Sequence, residues 1–141
     1  INILKFRTMN GRDTGDAGLK STLRVTKLGA QLRRFRVDEL PQLLNVLKGE
    51  LSFIGPRPEM PALVEVYERE IPYCGLRHLI KPGLSGWAQI NNFDVPRQGV
   101  DVHRTIDKLS FDLYYLRHRS LLLDIEIALK TINTVLSRTG S

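Results

Sequence analysis

The chain has 141 residues, 42% of them hydrophobic, which fits a single globular domain and excludes a disordered chain. Lys and Arg number 21 against 15 Asp and Glu, and the formal net charge of +6 favours an anionic partner: nucleic acid, a nucleotide, a phospholipid surface or a phosphorylated substrate. The lone cysteine, Cys74, excludes an intramolecular disulfide, and no apolar run reaches the ~18 residues that would span a bilayer.

The first third of the chain predicts a strand, a loop and a helix. Residues 1–9, INILKFRTM, have the β-branched and aromatic composition of a strand. Residues 10–22 are rich in Gly and Asp and predict a surface loop. A helix over 27–35 follows, with Thr26 as its N-cap.

The segment RVDELPQLLNVLKGE, residues 36–50, predicts a second helix. Pro41 fits its first turn and Gly49 its end, so Asp38 and Glu39 lie at or just before its start. Four leucines recur at helical spacing and predict a stripe that faces the core: Leu40, Leu43, Leu44 and Leu47.

The remainder of the chain predicts three more helices and two short strands. A strand precedes the loop GPRP (55–58), and a helix begins at Pro61. IKPGLSGWAQIN predicts a turn and then a strand, residues 93–103 a loop, and 104–117 and 120–137 two helices. We therefore expect an α/β (mixed α+β), helix-rich single domain with a few short strands. The last helix is amphipathic, and its apolar side fits a lipid interface or the domain core equally well.

The adjacent carboxylates Asp38 and Glu39 allow two interpretations. In one, Asp38 caps the helix and Glu39 favours its positive end. In the other, one carboxylate holds Mg²⁺ while its neighbour attacks phosphorus, since Mg²⁺ usually takes one or two carboxylates together with substrate phosphates. The two residues alone do not decide between them.

Several basic and polar residues are candidates for binding phosphate or a nucleotide. Two prolines stiffen the backbone around Arg57, which would present its guanidinium to a phosphate with little loss of entropy, although an ordinary turn explains the pattern as well. Lys5 and Arg33, taken alone, are more simply explained as solvated surface charges, and Gln89 has the chemistry to bind a base or a sugar. The three histidines lack the spacing of metal ligands.

Four blocks of the chain resemble the bacterial sugar transferase family, the monotopic polyprenol-phosphate phosphoglycosyl transferases. They occur in family order and cover nearly the whole chain: LKFRTM, LRRFRVDELPQLLNVLKGELSFIGPRPE, RHLIKPGLSGWAQIN and DKLSFDLYYLRHRSLLLDIEIALKTI. Asp-Glu-Leu-Pro-Gln followed by Gly-Pro-Arg-Pro is a specific combination. One departure concerns Arg36-Val37, because the family usually has Ser-Leu before the acidic pair.

The resemblance implies an activity and a set of site residues. Members transfer a sugar-1-phosphate from a UDP-sugar to a membrane polyprenol phosphate and release UMP, the first step of exopolysaccharide, capsule or O-antigen synthesis. The matching Asp38 would be the nucleophile and form a covalent phospho-sugar intermediate, and the matching Glu39 would bind Mg²⁺. The remaining members of the implied catalytic and phosphate-binding set are Lys5, Arg33, Arg57 and Asp112.

The resemblance also implies a location and partners. We expect residues 1–141 to be a catalytic domain at the cytoplasmic face of the bacterial inner membrane, without the re-entrant membrane helix that precedes the first strand in the family. A homo-oligomer is an open alternative, and no nucleic-acid partner is expected. Two other classes fit the charge, a basic nucleic-acid-binding module and an inactive assembly scaffold, but the basic residues are spread along the chain and match no known nucleic-acid-binding motif.

Overall fold

The computed structural model describes residues 1–11, 23–93 and 101–139 of the chain. The described part is helix-rich, with one two-stranded sheet, and confirms the expected fold class. In chain order the elements are α1 (Lys27–Arg34), a 3₁₀ helix (Val37–Glu39), α2 (Gln42–Leu47), β1 (Ser52–Ile54), α3 (Pro61–Glu70), a second 3₁₀ helix (Cys74–Leu79), β2 (Gly83–Ser85), a π-helix (Gln89–Phe93), α4 (Val102–His118) and α5 (Leu121–Thr139).

Local sequence signals place most helix ends where they were predicted. The Thr26 hydroxyl accepts a hydrogen bond from the Gly29 amide and caps α1. Pro61 lies in the first turn of α3. Gly49, just past the end of α2, has a φ of 76°, which a residue without Cβ adopts at little cost.

The two strands are parallel neighbours, with Ser52 opposite Gly83 and Ile54 opposite Ser85. A Cβ on Gly83 would meet the Gly55 backbone nitrogen at 2.2 Å, so only glycine allows this approach. The sheet thereby holds the start of the segment 55–58, because the Gly55 amide donates to the Ser85 carbonyl and the Gly83 amide donates to the Pro56 carbonyl.

The main hydrophobic core joins α3, the second 3₁₀ helix and α4. Its buried members are Tyr67, Ile71, Cys74 and Leu109. Helix α5 packs on the two strands, where Ile127 is completely buried. No helix within the described ranges is both long and apolar enough to cross a bilayer.

Two strand predictions were wrong in part. Residues 1–8 run without strand pairing, and only Met9 forms an antiparallel bridge, with Val25. After β2 the chain turns helical at Trp87 instead of continuing as a strand. The predicted loops over 10–22 and 93–103 lie mostly outside the described residues, but α4 begins at Val102, two residues earlier than predicted, with the Asp101 carboxylate as its cap.

The prediction that the leucine stripe of α2 faces the core was also wrong. Its four leucines are between 41% and 83% exposed, whereas Gln42 and Asn45 on the other face are buried. Asn45 accepts from the Leu4 amide at 3.0 Å and donates to the Asn2 carbonyl at 2.9 Å. The helix thus uses its polar face to hold the N-terminal segment, and its apolar face stays open.

Candidate active site

The acidic pair lies on a short turn between α1 and α2. Arg36 adopts a left-handed conformation with φ 53°, which costs a non-glycine residue roughly 1–3 kcal/mol. The 3₁₀ helix that follows buries Asp38, which is 3% exposed. The main-chain carbonyl of Asp38 accepts a hydrogen bond from the Phe6 amide at 2.9 Å. Asp38 therefore does not cap α2, whose N-cap is Pro41 without a side-chain hydrogen bond.

Cations from three separate segments converge on the pair. Lys5 Nζ lies 3.2 Å from Asp38 Oδ2 and 3.6 Å from Glu39 Oε1. The Arg57 guanidinium binds Glu39 Oε1, and Arg36 Nη1 lies 3.4 Å from Glu39 Oε2. We call these five residues the acidic-pair cluster: Lys5, Arg36, Asp38, Glu39 and Arg57.

The cations keep Glu39 ionised. Burial alone would raise the pKa of Glu39, but Arg57, Lys5 and Arg36 outweigh it, and the net pKa lies below its ordinary value of 4.5. At neutral pH the Glu39 carboxylate is therefore charged and suited to hold a cation.

A cleft of about 1300 Å³ opens beside this cluster. Lys5 and Arg57 line it, as does Arg33, whose Nε donates to the buried Thr8 hydroxyl at 2.9 Å. Asp38 and Glu39 are not among its lining residues and lie behind the Lys5 and Arg57 side chains. Among the described residues, its walls carry Lys5, Arg7, Arg33, Arg57 and Arg77 against one carboxylate, Glu59, so the cleft suits an anionic ligand.

A second set of charges, the buried ionic cluster, comprises Glu59, Arg77, Lys108 and Asp112. Arg77 Nη1 donates to Glu59 Oε1 at 3.0 Å, and Arg77 Nη2 lies 3.2 Å from Asp112 Oδ2. Lys108 also binds Glu59. Asp112, predicted to belong to the active-site set, thus lies against Arg77 and not against the acidic pair.

Burial and pairing pull the pKa values of the two carboxyls in this cluster apart. Burial raises the pKa of Asp112 above its ordinary value, and Arg77 and Lys108 do not fully offset this effect. Burial also acts on Glu59, but there Lys108 and Arg77 prevail and the pKa is lowered. Glu59 is therefore the firmly ionised partner of both cations.

The structure brings together most of the predicted site residues. Lys5, Asp38, Glu39 and Arg57 are in contact, and Arg33 lines the same cleft. Gln89 does not line it; its amide donates to the Leu84 carbonyl at 3.3 Å. Sequence reasoning gave no role to Glu59, Arg77 or Lys108, because their partners lie far away in the sequence, although all three residues belong to the blocks quoted above.

The donor set for a metal is small. In the part of the chain that the structure describes, no three His, Cys, Asp or Glu side chains form a group that could hold a metal ion by themselves. Two adjacent carboxylates with a positive cleft in front suit an Mg²⁺ that takes its other ligands from phosphate and water.

Comparison with known proteins gives one consistent result. The family model described as "Bacterial sugar transferase" matches residues 1–138. The chain is 44% identical to an Aeromonas hydrophila protein named UDP-N-acetylgalactosamine-undecaprenyl-phosphate N-acetylgalactosaminephosphotransferase, over 100% of this chain and 33% of that protein. It is 41% and 42% identical to proteins of Xanthomonas campestris pv. campestris and Escherichia coli that are both named UDP-glucose:undecaprenyl-phosphate glucose-1-phosphate transferase. These matches cover 96% and 94% of this chain but 28% and 29% of the two relatives, so the chain spans about a third of the length of these curated relatives.

Proposed function

Because this chain belongs to the bacterial sugar transferase family, we propose that it transfers a sugar-1-phosphate from a UDP-sugar to a polyprenol phosphate and releases UMP. The names of its relatives, which specify UDP-sugars and undecaprenyl phosphate, support the two substrates. The family match also favours this enzyme over a nucleic-acid-binding module or an inactive scaffold.

One observation carries the proposal: Lys5 and Arg57, from stretches of the chain far from Asp38 and Glu39, meet this acidic pair at one edge of an electropositive cleft. Phosphoryl transfer depends on neutralising charge and aligning the reacting groups. A carboxylate nucleophile, a second carboxylate and several held cations meet that requirement.

In the first half-reaction, Asp38 attacks the β-phosphorus of the UDP-sugar. A bond forms between Asp38 Oδ and phosphorus, and the bond from that phosphorus to the bridging oxygen breaks, so that UMP leaves with the oxygen and its electron pair. The half-exposed Lys5 side chain lies between Asp38 and the cleft, where an incoming phosphate can bind its ammonium group. Arg57 and Arg33 hold the phosphates from the cleft walls.

In the second half-reaction, a phosphate oxygen of the polyprenol phosphate attacks the same phosphorus and frees the Asp38 carboxylate. The exposed leucines begin with Leu40, which directly follows Glu39, and continue along α2, so an apolar surface begins beside the reacting group. We place this surface against the cytoplasmic leaflet of the inner membrane, where the lipid acceptor resides.

Glu39 is the residue we assign to Mg²⁺. When bound, the ion neutralises the charge that develops on the phosphates. Glu39 would hold the ion through its carboxylate, and Arg57 and Lys5, which both contact Glu39 Oε1 in the structure, would bind the substrate phosphates.

The decisive experiment traps the intermediate. Intact protein is incubated with a panel of radiolabelled UDP-sugars and acid-quenched, and we expect sugar-phosphate on the peptide that contains Asp38. Asp38→Asn should lose the adduct and lower UMP release by at least about a thousandfold.

The matched control is Asp107→Asn, at an exposed position on α4. It should keep both the adduct and the rate of UMP release. An adduct on another residue, or UMP release by Asp38→Asn at the wild-type rate, would refute the assignment of the nucleophile.

A further inference from the structure

Arg77 is an almost fully buried arginine that binds two parts of one loop. It lies on the 3₁₀ helix Cys74–Leu79 and is 5% exposed. Its Nη2 donates to the Arg57 carbonyl, and its Nη1 donates to the Glu59 carboxylate two residues further on. One guanidinium therefore holds the loop both by its main chain and by a side chain.

The same loop is fixed from its other end by the sheet. The Gly55 amide donates to the Ser85 carbonyl at 2.9 Å, and the Pro56 carbonyl accepts from the Gly83 amide at 3.0 Å. Arg57 lies between the two anchors, and its guanidinium projects to Glu39 in the acidic-pair cluster. The position of the Arg57 side chain thus depends on the β2 strand on one side and on Arg77 on the other.

We infer that Arg77 is a positioning residue, which holds the backbone of Arg57 so that the Arg57 guanidinium meets Glu39 and the substrate phosphates. The inference rests on the proposed function. Asp112 Oδ2 lies 3.2 Å from Arg77 Nη2, the nitrogen that also binds the Arg57 carbonyl, and Lys108 shares Glu59 with Arg77, so the guanidinium is held in one orientation. This arrangement needs a planar group with several donors, which a lysine ammonium does not provide.

Arg77 also lines the cleft, so direct contact with a phosphate is the competing explanation. The two explanations differ in their dependence on Arg57. A residue that acts through Arg57 has nothing left to position once that side chain is removed. A residue that binds phosphate directly retains its effect, and so does one that only stabilises the fold.

The test is a double-mutant cycle on UMP release by the intact protein. Arg77→Lys should lower kcat by roughly 10- to 100-fold, because misplacing a phosphate-binding group by about 1 Å costs that much. In an Arg57→Ala background the same Arg77→Lys change should lower kcat by less than about twofold. Equal losses in both backgrounds would overturn the inference. Arg69→Lys, at an exposed position on α3, is the matched control and should leave kcat and KM unchanged.

Hydrogen exchange supplies a readout that needs no activity. Arg77→Lys should speed amide exchange in the peptide spanning residues 55–60 and leave that of α5 unchanged; exchange raised uniformly along the chain would instead indicate general destabilisation. If the wild-type protein releases no UMP, the proposed function fails, while this measurement still tests whether Arg77 holds the loop. Should Arg77→Lys not fold, Glu59→Gln, which removes the negative charge from the acceptor of the Nη1 hydrogen bond, should show the same dependence on Arg57.

Discussion

The two ionic clusters contain similar groups but differ in how far solvent reaches them. In the acidic-pair cluster the Lys5 side chain is 40% exposed and that of Arg57 25%. In the buried ionic cluster no side chain exceeds 14%. A partly exposed cation exchanges its carboxylate partner for a phosphate at modest cost, whereas a buried pair that is broken leaves an uncompensated charge.

Because of this difference in exposure, we expect the two clusters to have different functions. The acidic-pair cluster lies beside the cleft and is suited to bind and react. The buried ionic cluster links α4 to the loop that carries Arg57 and is suited to hold geometry. Substitutions in the first should therefore change activity more than stability, and substitutions in the second should change stability and reach activity only through the loop.

The largest effect on the free energy of unfolding should come from a substitution in the buried ionic cluster. Glu59→Gln is expected to lower the free energy of unfolding by about 3 kcal/mol near neutral pH, because Arg77 and Lys108 lose a buried counter-charge. The Glu59 pKa is lowered in the folded protein, so its stabilisation is present above the ordinary value of 4.5 and disappears as pH falls through the folded value.

Urea denaturation at neutral and at acidic pH measures both parts of this prediction. The difference between wild type and Glu59→Gln should shrink at the lower pH. Glu65→Gln, at an exposed position on α3, should change stability little at either pH. A difference that is independent of pH would show that the charge of Glu59 does not carry the effect.

In the acidic-pair cluster, Glu39→Gln should lower UMP release by about a hundredfold, which corresponds to roughly 2.7 kcal/mol. The physical reason is the loss of the carboxylate assigned to Mg²⁺, so half-saturation by Mg²⁺ should move to higher concentration. The free energy of unfolding should change less than in Glu59→Gln.

The control for this variant is Glu70→Gln at the exposed end of α3, which should keep wild-type turnover and Mg²⁺ dependence. Wild-type turnover by Glu39→Gln would remove Glu39 from the mechanism. A loss of stability larger than that of Glu59→Gln would abolish the distinction between the two clusters.

The smallest effect on stability is expected outside both clusters. Leu47 is 83% exposed, so Leu47→Gln should change the free energy of unfolding by less than about 0.5 kcal/mol. Because we place this face against the membrane, the same variant should reduce co-flotation of the protein with liposomes of bacterial lipids. Leu79→Gln, an exposed leucine on the second 3₁₀ helix, should leave flotation unchanged; an equal reduction by both would argue against a specific surface on α2.

The candidate site was predictable from sequence to the extent that its members lie in recognisable blocks. Asp38, Glu39, Lys5 and Arg57 were named before their contacts were known, and the structure brings them together. Arg77 and Lys108 were missed because their roles arise from partners at least 18 residues away. Asp112 was placed in the same set, but only the fold reveals that Arg77 lies between it and the loop of Arg57.

Helix α2 marks the division between what the sequence determined and what the tertiary structure decided. The spacing of the leucines and the signals at Pro41 and Gly49 identify a helix with one apolar face, because backbone geometry and local hydrogen bonding depend mainly on residues that are close in sequence. Periodicity carries no information about what that face meets. Burial of Asn45 against Asn2 and Leu4 turned the polar side inward, since buried amides require partners and distant main-chain groups supplied them. The sequence alone thus determined most of the helices and pointed to the candidate site residues, while the orientation of each face and the supports behind Arg57 depended on contacts between distant segments.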